Sequence, residues 1–352
     1  MMEMKRIDIE EALDLYQNAD LFDLGEMAHQ ARLQRSDPQV VTYIVDRNIN
    51  YTNVCVTPCK FCAFYRTPAN PEGYVLPDEL IDAKIDELVA LGGSQVLLQG
   101  GLHPTLPFSY YTSLIARLKE KYPSVNIHAF SPPEIVHFAR ISGLSIEEVL
   151  RELWDAGQRS IPGGGAEILV DRVRKKLAPT KCMSQEWLDV METAHRIGYA
   201  SSATMMFGHI ETLPERIEHL AKLREVQDRT GGFTAFICWP IQSDNTPMRG
   251  MHVGPLEYLR TQALARVFLD NFAHIQSSWV TMGENIGQLA LRFGADDMGG
   301  TMMEENVVSA ASCTHRTNEQ QLCRLAREIG FRPQRRNTFY DYLDQPEEVL
   351  CQ

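Results

Sequence analysis

Along most of the chain, segments whose apolar residues recur at three- and four-residue spacing alternate with short, dense apolar runs, and turn residues separate the two kinds. Pro77-Asp78 opens an amphipathic helix, ELIDAKIDELVALGG, which stops at Gly92-Gly93 ahead of the strand-like run QVLLQ. The helical FSYYTSLIARLKEKYP leads into NIHAF in the same way. Ser145-x-x-Glu148 is a capping box before the helix VLRELWDAG, and a short RSI strand then runs into Pro162-Gly163-Gly164-Gly165. Helix EWLDVMETAHRIG precedes SATMMFG, and Thr212-x-x-Glu215 caps a long helix that ends at Gly231-Gly232 before FTAFICW. PLEYLRTQALARVFLDNF and HIQSSWV close the series, which begins with a strand at VVTYIVDRNINYT.

Strands joined by helical crossovers lie parallel, and about seven such units predict a closed or nearly closed TIM-like (β/α) barrel over residues 41–283. Residues 1–40 are expected to form a helical N-terminal extension. Residues 284–352 are expected to form a helical C-terminal cap carrying a polar glycine stretch, FGADDMGGTMMEENV, that either closes the barrel or reaches the substrate. Chemistry in such barrels sits on the loops that follow the strands. Here those loops are NVCVTPCKFCAFYR, QGGLHP, SPPE, PGGGAE, GHIET and WPIQ.

Composition narrows the class of partner. A net charge of −12 speaks against nucleic acid and anionic membranes, because phosphate binding needs a basic face. No apolar run approaches the ~20 residues of a membrane span. The N-terminus, MMEMKRIDIEEALDLYQ, has no secretory apolar region, so a cytoplasmic protein is expected.

Of the eight cysteines, Cys182, Cys238, Cys313, Cys323 and Cys351 are scattered singly and read as small buried hydrophobes or idle thiols. The other three, Cys55, Cys59 and Cys62, form C-x3-C-x2-C directly after a predicted strand. Three thiolates hold three irons of a [4Fe–4S] cubane and leave the fourth open to a small chelating ligand. Structural zinc is the competing reading, but zinc takes four ligands, and no fourth Cys or His lies in the loop. The PGGGAE run lacks the Lys-Ser/Thr of a P-loop and the order of a dinucleotide loop, and is read as backbone clearance for a bulky substrate.

The C-x3-C-x-aromatic-C loop resembles the signature of the radical S-adenosylmethionine (SAM) superfamily. That resemblance implies a [4Fe–4S] cluster on Cys55, Cys59 and Cys62, with SAM as the chelate on its open iron. It implies Phe61 near the adenine and the backbone at Phe64 on the adenine amino group, with loop packing the alternative for both. It places Gln99-Gly100-Gly101 as the clasp on the SAM amino group, where glycine permits close backbone approach, against an ordinary turn. Glu134 and Glu167 are candidates for the SAM ribose, and Lys181 for its carboxylate, each against a plain surface charge.

A narrower resemblance covers nearly the whole chain. NINYTNVCVTPCKFCAFYR, LLQGGLHP, HAFSPPEI, IPGGGAEIL, ATMMFGHIET and DRTGGFTAFI are similar to the cyclic dehypoxanthinyl futalosine synthase family of the futalosine route to menaquinone. The resemblance implies dehypoxanthine futalosine as substrate, hydrogen abstraction from ribose C4′ by a 5′-deoxyadenosyl radical, and radical addition to the benzoate ring. Loss of an electron and a proton then restores aromaticity. It also implies an electron donor such as flavodoxin or ferredoxin. The sister aminofutalosine synthases, in which the adenosyl radical adds to an enolpyruvyl double bond, share the cysteine loop and the PGGGAE stretch. Ser131-Pro132-Pro133, Met206-Phe207 and Trp239 favour the cyclase, although Cys238 stands where a proline often precedes the tryptophan. Deazaflavin synthase subunits are more distant in likeness. A non-catalytic iron–sulfur or zinc scaffold has no need of so many glycines and polar residues on one barrel face.

For this chemistry the candidates to hold the benzoate carboxylate are His103, Arg66 and Arg249. Trp239 and Tyr65 are expected against the aromatic ring or as barrel lining. His209, oriented by Glu211, is the candidate to take the rearomatising proton, with a loop-holding role as its alternative. His128 points either into the barrel or out of it.

Overall fold

The computed structural model describes residues 5–344. The predicted first strand forms in two pieces, β1 (Val40–Ile44) and β2 (Asp46–Ile49), buried throughout. There follow β3 (Gln95–Leu98), β4 (Asn126–Ala129), β5 (Ser160–Ile161), β6 (Ala200–Phe207) and β7 (Phe233–Pro240). Last come β8 (His274–Gln276), β9 (Asp297–Gly300) and β10 (Arg332–Arg335). All pair in parallel in the order β10-β1-β9-β8-β7-β6-β5-β4-β3-β2. Because β1 and β2 are consecutive, the two ends of this order meet on one stretch of chain. Val40–Ile44 is bound to β9 and β10, and Asp46–Ile49 to β3. The sheet therefore curls on itself into the TIM-like form.

The helices are α1 (Ile9–Asn18), α2 (Leu21–Leu33), α3 (Asp78–Ala90), α4 (Phe108–Lys121), α5 (Pro132–Ser142), α6 (Ile146–Asp155) and α7 (Asp171–Leu177). Then come α8 (Ser184–Ile197), α9 (Leu213–Thr230), α10 (Pro255–Phe268), the short α11 (Trp279–Met282) and α12 (Glu284–Ala290), and α13 (Glu319–Glu328). Local chemistry explains their limits. In α6 the Ser145 and Glu148 side chains each take the other's backbone N–H, as the capping box requires. Its Val149, Leu150 and Leu153 are fully buried, each worth ~1.5–3 kcal/mol relative to exposure. Helices α8 and α9 end at Gly198 and Gly231 in the left-handed conformation, which relieves the last carbonyls.

The N-terminal extension forms α1 and α2, packed on α9 and α10. Arg32 of α2, wholly buried, donates to the carbonyls of Ala295 and Val40 and so ties the extension to the N-terminal end of the barrel.

The expected helical C-terminal cap is corrected. Part of it, Asp297–Gly300 and Arg332–Arg335, supplies two barrel strands. Neither has the apolar character of a buried strand, and at β9 polar partners fill the space where side chains would stand. A Cβ on Gly300 would lie 2.1 Å from Asp46 Oδ1, and one on Gly299 2.2 Å from Gln276 Nε2. The chain after β10 then folds across the barrel floor. Thr338 Oγ1 donates to Gln95 Oε1 at 2.7 Å, and the Tyr340 ring stacks on His274 with centroids 3.7 Å apart. Cys182, Cys238, Cys313 and Cys323 are buried singly, as expected, and Cys351 lies outside the described residues. Among the described residues no helix is long and apolar enough to cross a membrane.

Candidate active site

The loops at the C-terminal ends of the strands enclose a cavity of about 460 Å³ that extends down the barrel to Thr338 and Tyr340. Cys55, Cys59 and Cys62 all open onto it, on the long loop after β2. That loop is clamped at its base, where Cys55 N–H donates to the Arg66 carbonyl and Arg66 N–H to the Asn53 carbonyl, at 2.9 and 2.8 Å. Burial pushes the Cys59 thiol up to about 12, against the nearby Lys181 ammonium, and burial raises Cys62 as well. Binding to iron reverses that preference, because a coordinating thiol gives up its proton. The three thiols open onto one space.

The donor set and the backbone around it fit a cluster with a small chelate. A Cβ on Gly101 would lie 2.3 Å from Val54 O and 2.9 Å from Cys55 Cβ, so the loop after β3 reaches the cysteine loop only as glycine. Gln99, Gly100 and Gly101 line the cavity, as do Phe61 and Phe64. Gly164, on the loop after β5, would drive a Cβ to 2.6 Å from Gln99 Nε2, and one on Gly163 would come to 2.5 Å from Ser202 O. The glycine run thus gives its clearance to neighbouring loops as well as to the cavity.

Three charged candidates also face the cavity. Glu134 is 1% exposed and its carboxylate is fully engaged. Oε1 accepts from Tyr51 Oη and Gly100 N at 2.8 and 3.0 Å, and Oε2 from Ser131 N and Oγ at 2.7 and 2.6 Å. Burial raises its pKa against those donors. In this structure Glu134 is the member of an α5 capping box that also holds the backbone of Gly100. Glu167, at a left-handed φ of 41°, accepts from Lys181 Nζ at 2.9 Å and from Arg174 at 3.4 Å. Burial would raise the Glu167 carboxyl, but the two cations hold it low. Burial would likewise lower Lys181, yet Glu167 and Cys59 keep it raised, and its ammonium sits 5.5 Å from the Phe61 ring centroid.

Tyr65 and Trp239 line the cavity, and His128 points into it. Five other candidates do not line it. Arg66 is spent on the loop, pairing with Glu72 at 2.6 Å and donating to the carbonyls of Ala63, Phe64 and Tyr65. His103 Nδ1 accepts from Thr105 N and Leu106 N, and Arg249 is exposed. The side chains of His209 and Glu211 have no exposure and lie behind the wall. Glu211 takes the N–H groups of Gly208 and His209 at 2.7 and 2.9 Å, with His209 Nδ1 2.7 Å away, so the pair holds the turn after β6. His209, expected to take the rearomatising proton, and Glu211 thus sit in the turn after β6 and off the cavity lining.

Sequence reasoning missed Asp46, Asn48, Gln95 and Gln276 on the inner strand faces, and Glu305 and Arg336 beyond the expected barrel, all of which line the cavity. The signal for the first two was present, since polar residues recur at alternate positions through Asp46, Asn48 and Asn50.

The cysteine loop on this fold and the family match together define a radical SAM enzyme. Residues 49–223 match the radical SAM superfamily, and residues 230–349 match the CofH/MqnC C-terminal region. The cyclic dehypoxanthine futalosine synthase of Halalkalibacterium halodurans is 44% identical over 96% of this chain and 92% of its own. The enzyme of that name from Streptomyces coelicolor is 48% identical over 96% of this chain and 86% of its own. An aminodeoxyfutalosine synthase of Thermus thermophilus reaches 37% over 97% of this chain and 93% of its own. The crystal structure of methylornithine synthase shares the fold with a TM-score of 0.73 at 16% identity, over 94% of each chain. The chain belongs to the radical SAM superfamily, and within it to the cyclic dehypoxanthine futalosine synthase family. The superfamily's cofactors are a [4Fe–4S] cluster and SAM.

Proposed function

We propose that this chain converts dehypoxanthine futalosine to cyclic dehypoxanthinyl futalosine in menaquinone biosynthesis, as a cytoplasmic enzyme served by an electron donor such as flavodoxin or ferredoxin. The observation that carries the reading is the likeness to two synthases of that name along 96% of the chain. Cys55, Cys59 and Cys62 are the residues that hold the cluster, with Gln99-Gly100-Gly101 against the SAM amino group and Lys181 toward its carboxylate. Bound there, cluster and SAM supply a 5′-deoxyadenosyl radical.

The chain's own work is placement and shielding. A reactive radical attacks whatever lies nearest, so holding ribose C4′ in contact is the main source of selectivity. Tyr65 and Trp239, on the lining, offer aromatic faces to the benzoate ring, and shielding from water falls to the loops after the strands. The substrate gives up one hydrogen atom, gains one carbon–carbon bond, and then loses one electron and one proton. The product is therefore two hydrogens lighter.

The test is anaerobic reconstitution with SAM, a chemical reductant and dehypoxanthine futalosine, followed by mass spectrometry beside Cys59→Ala. The expected products are free 5′-deoxyadenosine and a compound two mass units below the substrate, both absent with the variant. SAM cleavage with the substrate left intact would overturn the proposed reaction, and an adenosyl group carried in the product of enolpyruvylbenzoate would assign the chain to the sister chemistry.

A further inference from the structure

We infer that Asn48 and His128, on the inner wall of the cavity, form a subsite for the hydroxyl groups of a sugar, namely the pentose of the substrate proposed above, on whose identity this inference rests. Asn48 of β2 and His128 of β4 are both registered on Leu97 of β3, so the three stand at one level of the barrel, and all three line the cavity. This level is two residues below Asn50 and Gln99, beside the glycine clasp, and so about 6–7 Å deeper than the expected SAM clasp.

Asn48 is 4% exposed, and its Oδ1 is buried with no hydrogen-bond partner. Buried amide oxygens are almost always paired, because leaving one dry forfeits the bond it made with water. Asn48 lines the cavity, and a turn of its side-chain amide brings this unpaired acceptor to a donor that arrives with a ligand.

His128 offers the complement. Asn126 Nδ2 donates to Ser160 Oγ at 2.8 Å, and Ser160 Oγ lies 2.8 Å from His128 Nδ1. The Ser160 hydroxyl, which accepts from Asn126, finds its own acceptor in Nδ1 when the neutral ring carries its proton on Nε2, and that is the tautomer we assign. Burial, and then the nearby Arg336 cation, push the imidazole down to about 3, so the ring is neutral at physiological pH. The wall thus presents one uncharged acceptor and one uncharged donor, with the Leu97 side chain between them as an apolar rest for a sugar ring.

Charge decides which part of a ligand this wall receives. Asp46, on the same face of β2 two residues earlier, also lines the cavity, and Met302 N and Gln95 Nε2 donate to its carboxylate at 2.9 and 3.3 Å. The cations on the lining are already paired, Arg336 with Asp297 and Lys181 with Glu167. A benzoate carboxylate gains nothing at this level, whereas vicinal hydroxyls both donate to Asn48 and accept from His128. The SAM ribose carries the same hydroxyl chemistry, so the experiment has to separate the two sugars.

The measurement is kcat/KM for dehypoxanthine futalosine and for its 2′-deoxy and 3′-deoxy analogues, using reconstituted wild type, Asn48→Ala, His128→Ala and His128→Gln. SAM affinity and the cluster absorption spectrum are read in parallel. In the wild type, removing the bound hydroxyl is expected to lower kcat/KM about five- to tenfold, the scale of one neutral hydrogen bond. The alanine variants should lose a similar factor with the full substrate and little more with the matching deoxy analogue, while SAM affinity is unchanged. His128→Gln, which retains a donor, should recover part of the loss. Wild type indifferent to both deoxy analogues overturns the subsite without reference to any variant, as do penalties that multiply independently. Weakened SAM binding by the variants assigns the wall to the SAM ribose instead and likewise overturns it. If the wild type cleaves SAM but leaves dehypoxanthine futalosine untouched, the proposed reaction itself has failed, which is a different result from any of these.

Discussion

Lys181 Nζ stands 2.9 Å from Glu167 Oε1 in the cavity wall, and each side chain is nearly withdrawn from solvent. One face of this pair looks at Cys59 and Phe61, and the other is held by Arg174, which reaches the second Glu167 oxygen. A buried pair contributes little beyond what an apolar replacement gives, but removing one member strands the other's charge. Lys181→Met is therefore expected to lower unfolding free energy by about 3 kcal/mol, near the low end for a broken buried pair because Arg174 remains. If Lys181 also receives the SAM carboxylate, SAM dissociation should weaken about tenfold or more. Chemical denaturation and equilibrium dialysis read the two effects separately, and a stability loss with SAM affinity intact would confine Lys181 to a structural role.

Gly101 makes a second prediction about the same wall. Its missing Cβ is occupied by Val54 O, a backbone atom that has no side-chain freedom with which to retreat. Gly101→Ala is expected to cost about 1–3 kcal/mol by overpacking and to displace the loop that carries Cys55. Iron bound per chain after reconstitution should fall with it. Gly143 is the control, since a Cβ there meets nothing within 4 Å and only its left-handed φ of 75° is strained. Gly143→Ala should cost about 1–2 kcal/mol and leave iron content unchanged.

These two positions show where sequence was informative. The cysteine spacing and the glycines after β3 are local signals, so both were readable, and both line the cavity. The amphipathic helices α3, α4, α6, α8, α9 and α10 were readable for the same reason. Helix α5 was not, because Ser131-Pro132-Pro133-Glu134 follows a strand and reads as a loop, although it bears a capping residue, prolines at the first turn and a glutamate three residues on. β9 and β10 escaped because Asp-Met-Gly-Gly and Arg-Pro-Gln-Arg are shaped by partners far away in sequence, Asp46, Gln276 and Glu319 among them. Arg66, His103 and His209 looked available because nothing in a sequence shows that a loop's own backbone has already engaged them.

The His209–Glu211 assignment has its own test. Burial would raise the Glu211 carboxyl, but the hydrogen bond and charge of His209, with Arg216, hold it down to about 2. A carboxyl lowered on folding contributes stability that is complete above its ordinary 4.5 and disappears as pH falls toward 2. Glu211→Gln is expected to lose about 3 kcal/mol at neutral pH, with the difference from wild type shrinking below pH 4.5. Because the pair does not touch the cavity, the pH profile of kcat should keep its shape in this variant. Loss of one limb of that profile would return His209 to the chemistry.

Asp46 runs the other way. Burial lifts its carboxyl from 3.8 to about 6, although Met302 N–H, Arg336 and the Gln95 amide all favour the charged form. Between those two values the folded chain binds a proton that the unfolded chain has already released. Its contribution to stability is therefore complete below pH 3.8 and is lost as pH rises through 6. The full loss for this displacement is about 3 kcal/mol. Asp46→Asn keeps an oxygen for Met302 N–H and cannot ionise, so its stability relative to wild type should rise by up to that amount between pH 4 and pH 7. Urea denaturation of the two proteins across this range checks it. A difference that stays flat means Asp46 titrates in the fold as it does in the unfolded chain, and one that shrinks with pH means the neighbouring donors outweigh burial.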